Sequence, residues 1–319
     1  MKDNGMHDDA ILDRALGSFV GLAVGDAIGT TVEFRPRGSF PPITDMIGGG
    51  PFRLEPGQWT DDTSMALCLA ESLLAAPTLD HHDLMQRFHR WMMLGENSST
   101  GKCFDIGKTT LRAIGEFGRS GNPTPKLRGR NLAGNGSIMR LAPVAVRWWH
   151  NPQMAEQVAR RQSETTHNVT EAIDGCALLA RILCGAIAGD GAAALVQDDE
   201  AWEGSIRAIG TGSWRDLEEV SVESTGYVVN TLQAALWSFT QGDDFESVIL
   251  RAVNLGGDAD TIAAVAGQIA GATWGLSAIP PRWTQRIYSG ERILKLAMDL
   301  FMAGRTNAFS QESVKDWYV

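Results

Sequence analysis

Gly17, Gly21, Gly25 and Gly29 recur every fourth residue in an apolar stretch, Ile11 to Gly29, whose spacing predicts a helix. Each glycine weakens a helix by about 1 kcal/mol relative to alanine, so four in one stripe need a compensating contact. A second helix packed almost backbone to backbone would supply it. A matching stripe of small residues, Ala263, Gly267 and Gly271, lies far downstream. The chain is therefore expected to be built around a close helix pair, with Asp26 inside the first helix and Glu33 just past its end. Elsewhere the apolar residues keep helical spacing, as in Met65, Leu69 and Leu73 or Cys176, Leu179, Leu183 and Ile187. No alternating run is long enough for a sheet. The expectation is an all-α protein: one compact domain over 11–319 behind a flexible N-terminal tail, 1–10.

Two acidic clusters stand at predicted helix starts. Asn254-Leu255-Gly256-Gly257-Asp258-Ala259-Asp260-Thr261 precedes the run from Ile262 to Trp274, and Trp59-Thr60-Asp61-Asp62-Thr63 precedes Ser64 to Ala76. The plain reading is that these residues cap unpaired N–H groups. A pair of such clusters suggests more. If the helix pair brings them together, four carboxylates would repel one another unless a cation sits between them. Oxygen-only ligands point to a hard divalent ion, Mg or Mn before Zn.

Composition limits the alternatives. With 38 acidic and 28 basic residues the net charge is −10, so a nucleic-acid backbone would be repelled on average. The four cysteines, Cys68, Cys103, Cys176 and Cys184, include no CxxC pair and are expected as reduced core residues of a cytoplasmic protein. The N-terminus is acidic where a signal peptide would be basic, and no apolar span is expected to reach membrane length.

Between the clusters, 35–57 is rich in proline and glycine and reads as an irregular flap, and 95–105 as a small polar loop ending at Asp105. Gly134-Asn135-Gly136-Ser137 enters a helix expected over Ile138 to Trp149, and is either a phosphate cradle or a plain turn. His167 could meet a sugar or phosphate or be structural, and Tyr227 could stack on a base or sit at the core's rim. A calcium EF-hand fails, because Ile262, Ala263 and Ala264 stand where its oxygens and glycine belong. A metal-dependent phosphatase of the aspartyl-nucleophile kind wants Asp-x-Asp-x-Thr after a buried strand. Here the threonine comes one place early, so this is a minor alternative.

Taken together, Gly21-Leu22-Ala23-Val24-Gly25-Asp26-Ala27-Ile28-Gly29 with Glu33, Trp59 to Thr63, Gly134 to Arg140, and Gly256 to Thr261 resemble the ADP-ribosylglycohydrolase family. The pattern is most like its dinitrogenase reductase-activating branch. The likeness spans roughly 12–300 in the family's motif order and implies an orthogonal all-helical fold with a two-cation centre, Mg or Mn. By that resemblance Thr60, Asp61, Asp62, Asp258, Asp260 and Thr261 are metal-site residues, and Glu33 or Asp61 transfers a proton. Asp105 would contact a departing arginine side chain. Gly134, Asn135, Gly136, Ser137, His167 and Tyr227 would line ribose, diphosphate and adenine.

The implied activity is removal of ADP-ribose from modified protein side chains, most of all the N-glycosidic bond to arginine, with ADP-ribose as product. Two other readings stay open. The chain could hold ADP-ribose without hydrolysing it, or its acidic tail or long loop could block an ADP-ribosyltransferase partner as an immunity factor would.

Overall fold

The computed structural model describes residues 3–198, 202 and 204–315. Among these there are thirteen α-helices and no strand. They are α1 (Asp3–Gly29), α2 (Asp61–Ala75), α3 (His81–Leu94), α4 (Lys108–Ser120), α5 (Ala142–Trp148), α6 (Pro152–Glu164) and α7 (Thr170–Ala188). After these come α8 (Gly204–Gly210), α9 (Val228–Thr240), α10 (Phe245–Asn254), α11 (Ala259–Trp274), the single turn α12 (Pro281–Thr284) and α13 (Gly290–Lys315). The all-α expectation holds.

At the centre α1 packs along α11, and the small stripes meet as expected. A Cβ on Gly21 would lie 2.2 Å from the Gly267 carbonyl oxygen, and one on Gly25 2.0 Å from that of Ala263. From the other side, a Cβ on Gly271 would lie 2.0 Å from the Gly17 oxygen. Backbone atoms cannot yield to a side chain, so only glycine permits this approach. Every residue from Ala15 to Gly29 of α1 and from Ala259 to Ala272 of α11 is buried, and nearly all are apolar or glycine, the mark of helix segments enclosed on every side. α7, α9 and α10 pack against α11, while α5 and α13 pack against α1.

Three expectations need correcting. Helix α1 begins at Asp3, so 3–10 continue the helix rather than forming a separate tail, and Arg305 of α13 donates to Asp8 (2.8 Å). Residues 1–2 of that expected tail lie outside the described residues. Second, Asp8–Val32 is long and apolar enough to cross a membrane, contrary to expectation, yet 94% of its most apolar window is buried against the rest of the protein. Third, the helix expected over Ile138 to Trp149 starts only at Ala142. Pro143 at its first turn lacks the N–H that would continue the helix backwards. The four cysteines are free, with Cys68, Cys176 and Cys184 buried.

The segment from 35 to 57 is irregular, as expected, and is stitched to the body at both ends. Ile43 exchanges hydrogen bonds with the Asn254 side chain (2.8 and 3.0 Å), and Phe52 packs on Phe104 with ring centroids 5.0 Å apart. That second contact couples the flap to the loop carrying Asp105.

Candidate metal centre and active site

Because α1 and α11 run in contact, the segments at their ends are brought to one place. Asp61 and Asp62 form the first turn of α2, and Asp258 and Asp260 stand at the start of α11. Neither Thr60 nor Asp258, the residues preceding these helices, makes a side-chain capping bond. The plain capping reading is therefore not what these residues do.

Asp26, one residue after Gly25, ties α1 to the start of α2. Its Oδ1 accepts from the backbone and hydroxyl of Thr60 (both 2.8 Å), and its Oδ2 from the backbone and hydroxyl of Thr63 (3.0 and 2.6 Å). The Thr60 hydroxyl lies 3.3 Å from Asp260 Oδ2, and the Thr261 hydroxyl donates to Asp62 Oδ2 at 3.3 Å. Threonines from each cluster thus reach carboxylates of the other across the helix pair.

A cavity of about 410 Å³ opens over this junction, lined by Glu33, Asp61, Asp105, Asp258 and Asp260 among others. Oxygens of Glu33, Asp258 and Asp260 lie within 4.8 Å of one another. Burial raises the carboxylate pKa values here, and mutual repulsion adds to it for Glu33, Asp61, Asp62, Asp105 and Asp260. Glu33 is pushed up to about 12 by burial and by the charges of Asp260, Asp105, Asp258 and Asp61. Asp61, Asp62 and Asp260 sit well above the usual carboxylate range for the same reasons, and Asp105 is raised to about 7. So many carboxylates cannot all ionise without a counter-charge.

Oxygens of Glu33, Asp62 and Asp260 are buried without a hydrogen-bond partner. Unpartnered buried carboxylate oxygens are rare unless a ligand completes them. The donor set is all oxygen, so it fits a hard divalent cation. It can hold a metal.

The remaining expected site residues divide by depth. Gly134, Asn135, Gly136 and His167 line the acidic cavity, and the Asn135 side-chain amide donates to Asp258 Oδ2. Ser137 does not reach it. Its hydroxyl is buried behind the loop against Ser163 (2.9 Å), where it holds the turn. Thr60 and Asp62 lie beneath the cavity floor and do not line it.

His167 packs under Gly136, close enough that a Cβ there would fall 2.7 Å from its ring, and its Nδ1 is 2.9 Å from the Thr166 hydroxyl. Burial and the nearby Arg140 push its pKa down to about 3, so it is a neutral imidazole. Tyr227 lines a second cavity of about 740 Å³, not the acidic one. The two cavities share Asn131, Gly134 and Gly226. The Tyr227 hydroxyl donates to Glu171 (2.7 Å) at the edge of that second space.

Sequence reasoning gave no role to two residues that hold the site. In the sequence Asp26 is merely a residue within the first helix. The available signal was a carboxylate among apolar neighbours inside a glycine stripe, which needs buried donors. Arg140 is fully buried and donates to the Gly136 carbonyl (2.8 Å), Gln162 (2.8 Å) and the Thr166 hydroxyl (3.0 Å), with its guanidinium over the Phe88 ring at 4.6 Å. It fixes the glycine loop and His167 together.

An all-helical body whose paired acidic turns face one cleft defines a protein with a carboxylate-lined site able to hold a metal. The ADP-ribosylglycohydrolase family model matches residues 7–308, and this chain belongs to that family. The ADP-ribosylarginine hydrolase Tri1 of Pseudomonas putida (strain GB-1) is 43% identical over 91% of this chain and 78% of its own. The ADP-ribosyl-[dinitrogen reductase] glycohydrolase of Rhodospirillum rubrum is 36% identical over 93% of this chain and 98% of its own. A solved ADP-ribosylglycohydrolase-related protein complex superposes with a TM-score of 0.82 at 42% identity, covering 93% of this chain and 99% of that one. The resemblance read from the motifs is thereby borne out.

Proposed function

We propose that this chain hydrolyses the N-glycosidic bond between ADP-ribose and a modified arginine of a protein, releasing ADP-ribose. The observation that carries this reading is the carboxylate-lined cavity lying next to the larger cavity beside Tyr227, with Asn131, Gly134 and Gly226 forming part of the wall of both. One space suits the reacting ribose and its leaving group. The other suits the far end of the nucleotide, where Tyr227 offers a ring to adenine.

Thr60, Asp61, Asp62, Asp258, Asp260 and Thr261 would hold two divalent cations, Mg or Mn, and Glu33 stands close enough to join them. When bound, such ions supply Lewis acidity and lower the pKa of a nearby water. In the reaction the bond from the ribose anomeric carbon to the guanidine nitrogen breaks, and a water oxygen bonds to that carbon. The water's proton passes to Glu33 or Asp61, both at the cavity wall, and ends on the released guanidine. Asp105 orients that guanidine, and Asn135 holds Asp258 in place. The preorganised carboxylates favour the oxocarbenium-like charge that develops on the ribose.

The test is a panel of ADP-ribosylated peptides of defined linkage, with and without a chelator. Arginine-linked ADP-ribose is released, and release stops on metal removal and returns with added Mg or Mn. No release from arginine would end the proposed activity; activity indifferent to chelation would end the two-cation account. A narrower check concerns the leaving group. Asp105→Ala retains divalent-cation binding by calorimetry while turnover of the arginine substrate falls about a hundredfold, the scale of a lost orienting contact. Full turnover in that variant would show that Asp105 does not meet the guanidine.

A further inference from the structure

Six non-glycine residues among those described have positive φ, and three of them, Phe34 (61°), Asp105 (58°) and Asn131 (57°), line the acidic cavity. Asparagine and aspartate enter the left-handed region with modest strain, but a bulky aromatic residue does not. Phe34 is held there from both sides. Its N–H donates to the Gly257 carbonyl (2.7 Å), and the Gly257 N–H donates to the Arg35 carbonyl (2.8 Å). The strained residue is thereby bolted to the turn that carries Asp258 and Asp260. Core packing does not account for it, since Phe34 is 66% exposed. Strain that buries little and persists at a cavity wall marks a position held for what it meets.

The surroundings say what that is. Phe34 directly follows Glu33 and shares the cavity with Asp105, so an aromatic ring and carboxylates stand around one opening. Carboxylates attract a cation, and a ring adds a flat face that favours a planar one. We propose that Phe34 is a specificity-determining residue that stacks on the guanidinium of the modified arginine and selects it over linkages lacking a planar cation. This rests on the hydrolase reading above.

The experiment compares Phe34→Leu, Phe34→Tyr and Phe34→Gly in the metal-loaded full chain. KM and kcat are measured on an ADP-ribosylarginine peptide, and Kd is measured for free ADP-ribose, which has no guanidinium. Phe34→Leu raises KM about tenfold, the scale of a partly desolvated cation–π contact, with kcat and the ADP-ribose Kd held within about twofold. Phe34→Tyr keeps the ring and restores KM. Phe34→Gly raises KM as leucine does but leaves Tm unchanged or higher, because glycine adopts this backbone without strain. An unchanged KM in Phe34→Leu, or an ADP-ribose Kd weakened as much as KM, overturns the inference while the hydrolase reading stands. A wild-type chain inactive on arginine removes both.

Discussion

Asp260→Asn abolishes ADP-ribose release, by about a thousandfold or more, and leaves the protein folded. A bound divalent cation supplies several kcal/mol of transition-state stabilisation, and losing about 4 kcal/mol is about a thousandfold in rate. The variant keeps the shape of the side chain but removes a charge that sits among Asp105, Asp258 and Asp26. Stability moves the other way. A carboxyl group whose pKa is higher folded than unfolded takes up protons on folding, so above its unfolded value, about 3.9, it progressively destabilises the metal-free protein. Asp260 is raised well above that value, so at neutral pH metal-free Asp260→Asn melts at the same temperature as metal-free wild type or higher. Added Mn raises the melting temperature of the wild type and not of the variant, because only the former binds it in the folded state. Calorimetric Mn binding and thermal melts check this. A variant that keeps divalent-dependent activity would show that the metal lies elsewhere.

Gly25→Ala produces the second large effect, at a residue that does not line the cavity. The added Cβ would fall 2.0 Å from the Ala263 carbonyl oxygen and 2.8 Å from the Ala264 nitrogen, both backbone atoms of α11. The helices must part, at a loss of about 3 kcal/mol or more, the upper end for overpacked cores. In a chain of this size that lowers Tm by roughly 4–5 °C. Separation also draws Asp26 away from α11, so Asp26, Thr60 and Asp260 no longer meet and Mn affinity falls with stability. Gly115 on α4 is the control. Nothing lies within 4 Å of a Cβ there, so Gly115→Ala stabilises by about 1 kcal/mol through helix propensity alone. Thermal melts of both variants with Mn titrations decide it. If Gly25→Ala is as stable and binds Mn as tightly as Gly115→Ala, the helix contact does not assemble the centre.

The features legible in the sequence share one property: they are periodic or local. A glycine every fourth residue reports a helix face that must touch another backbone, whatever lies around it. Asp61 with Asp62 and Asp258 with Asp260 report helix starts with surplus charge. These local facts pointed to helices, to the close pair, and to carboxylates in need of a cation. The errors were local too. Asp3 to Ala10 lacks an apolar pattern, yet it continues α1 because helix propagation is easy once α1 is docked and Arg305 reaches Asp8.

Depth and facing were not legible, because they depend on how each helix is rotated when it packs. Ser137 and Asn135 belong to one short motif, yet Asn135 meets Asp258 while Ser137 turns inward to Ser163. Tyr227 belongs to the neighbouring cavity, a distinction set by the bridge that pairs its backbone with Gly134.

By itself the sequence determined an all-helical chain, its central helix pair and the chemical kind of its site. Only the tertiary structure decided which oxygens share a space, because Thr60 and Asp260, or Asp62 and Thr261, are about two hundred residues apart and meet through the packing of α1 on α11 and the hold of Asp26 on the start of α2. Chain entropy would scatter such remote groups. The buried small-residue contact holds them within a few ångströms of one another.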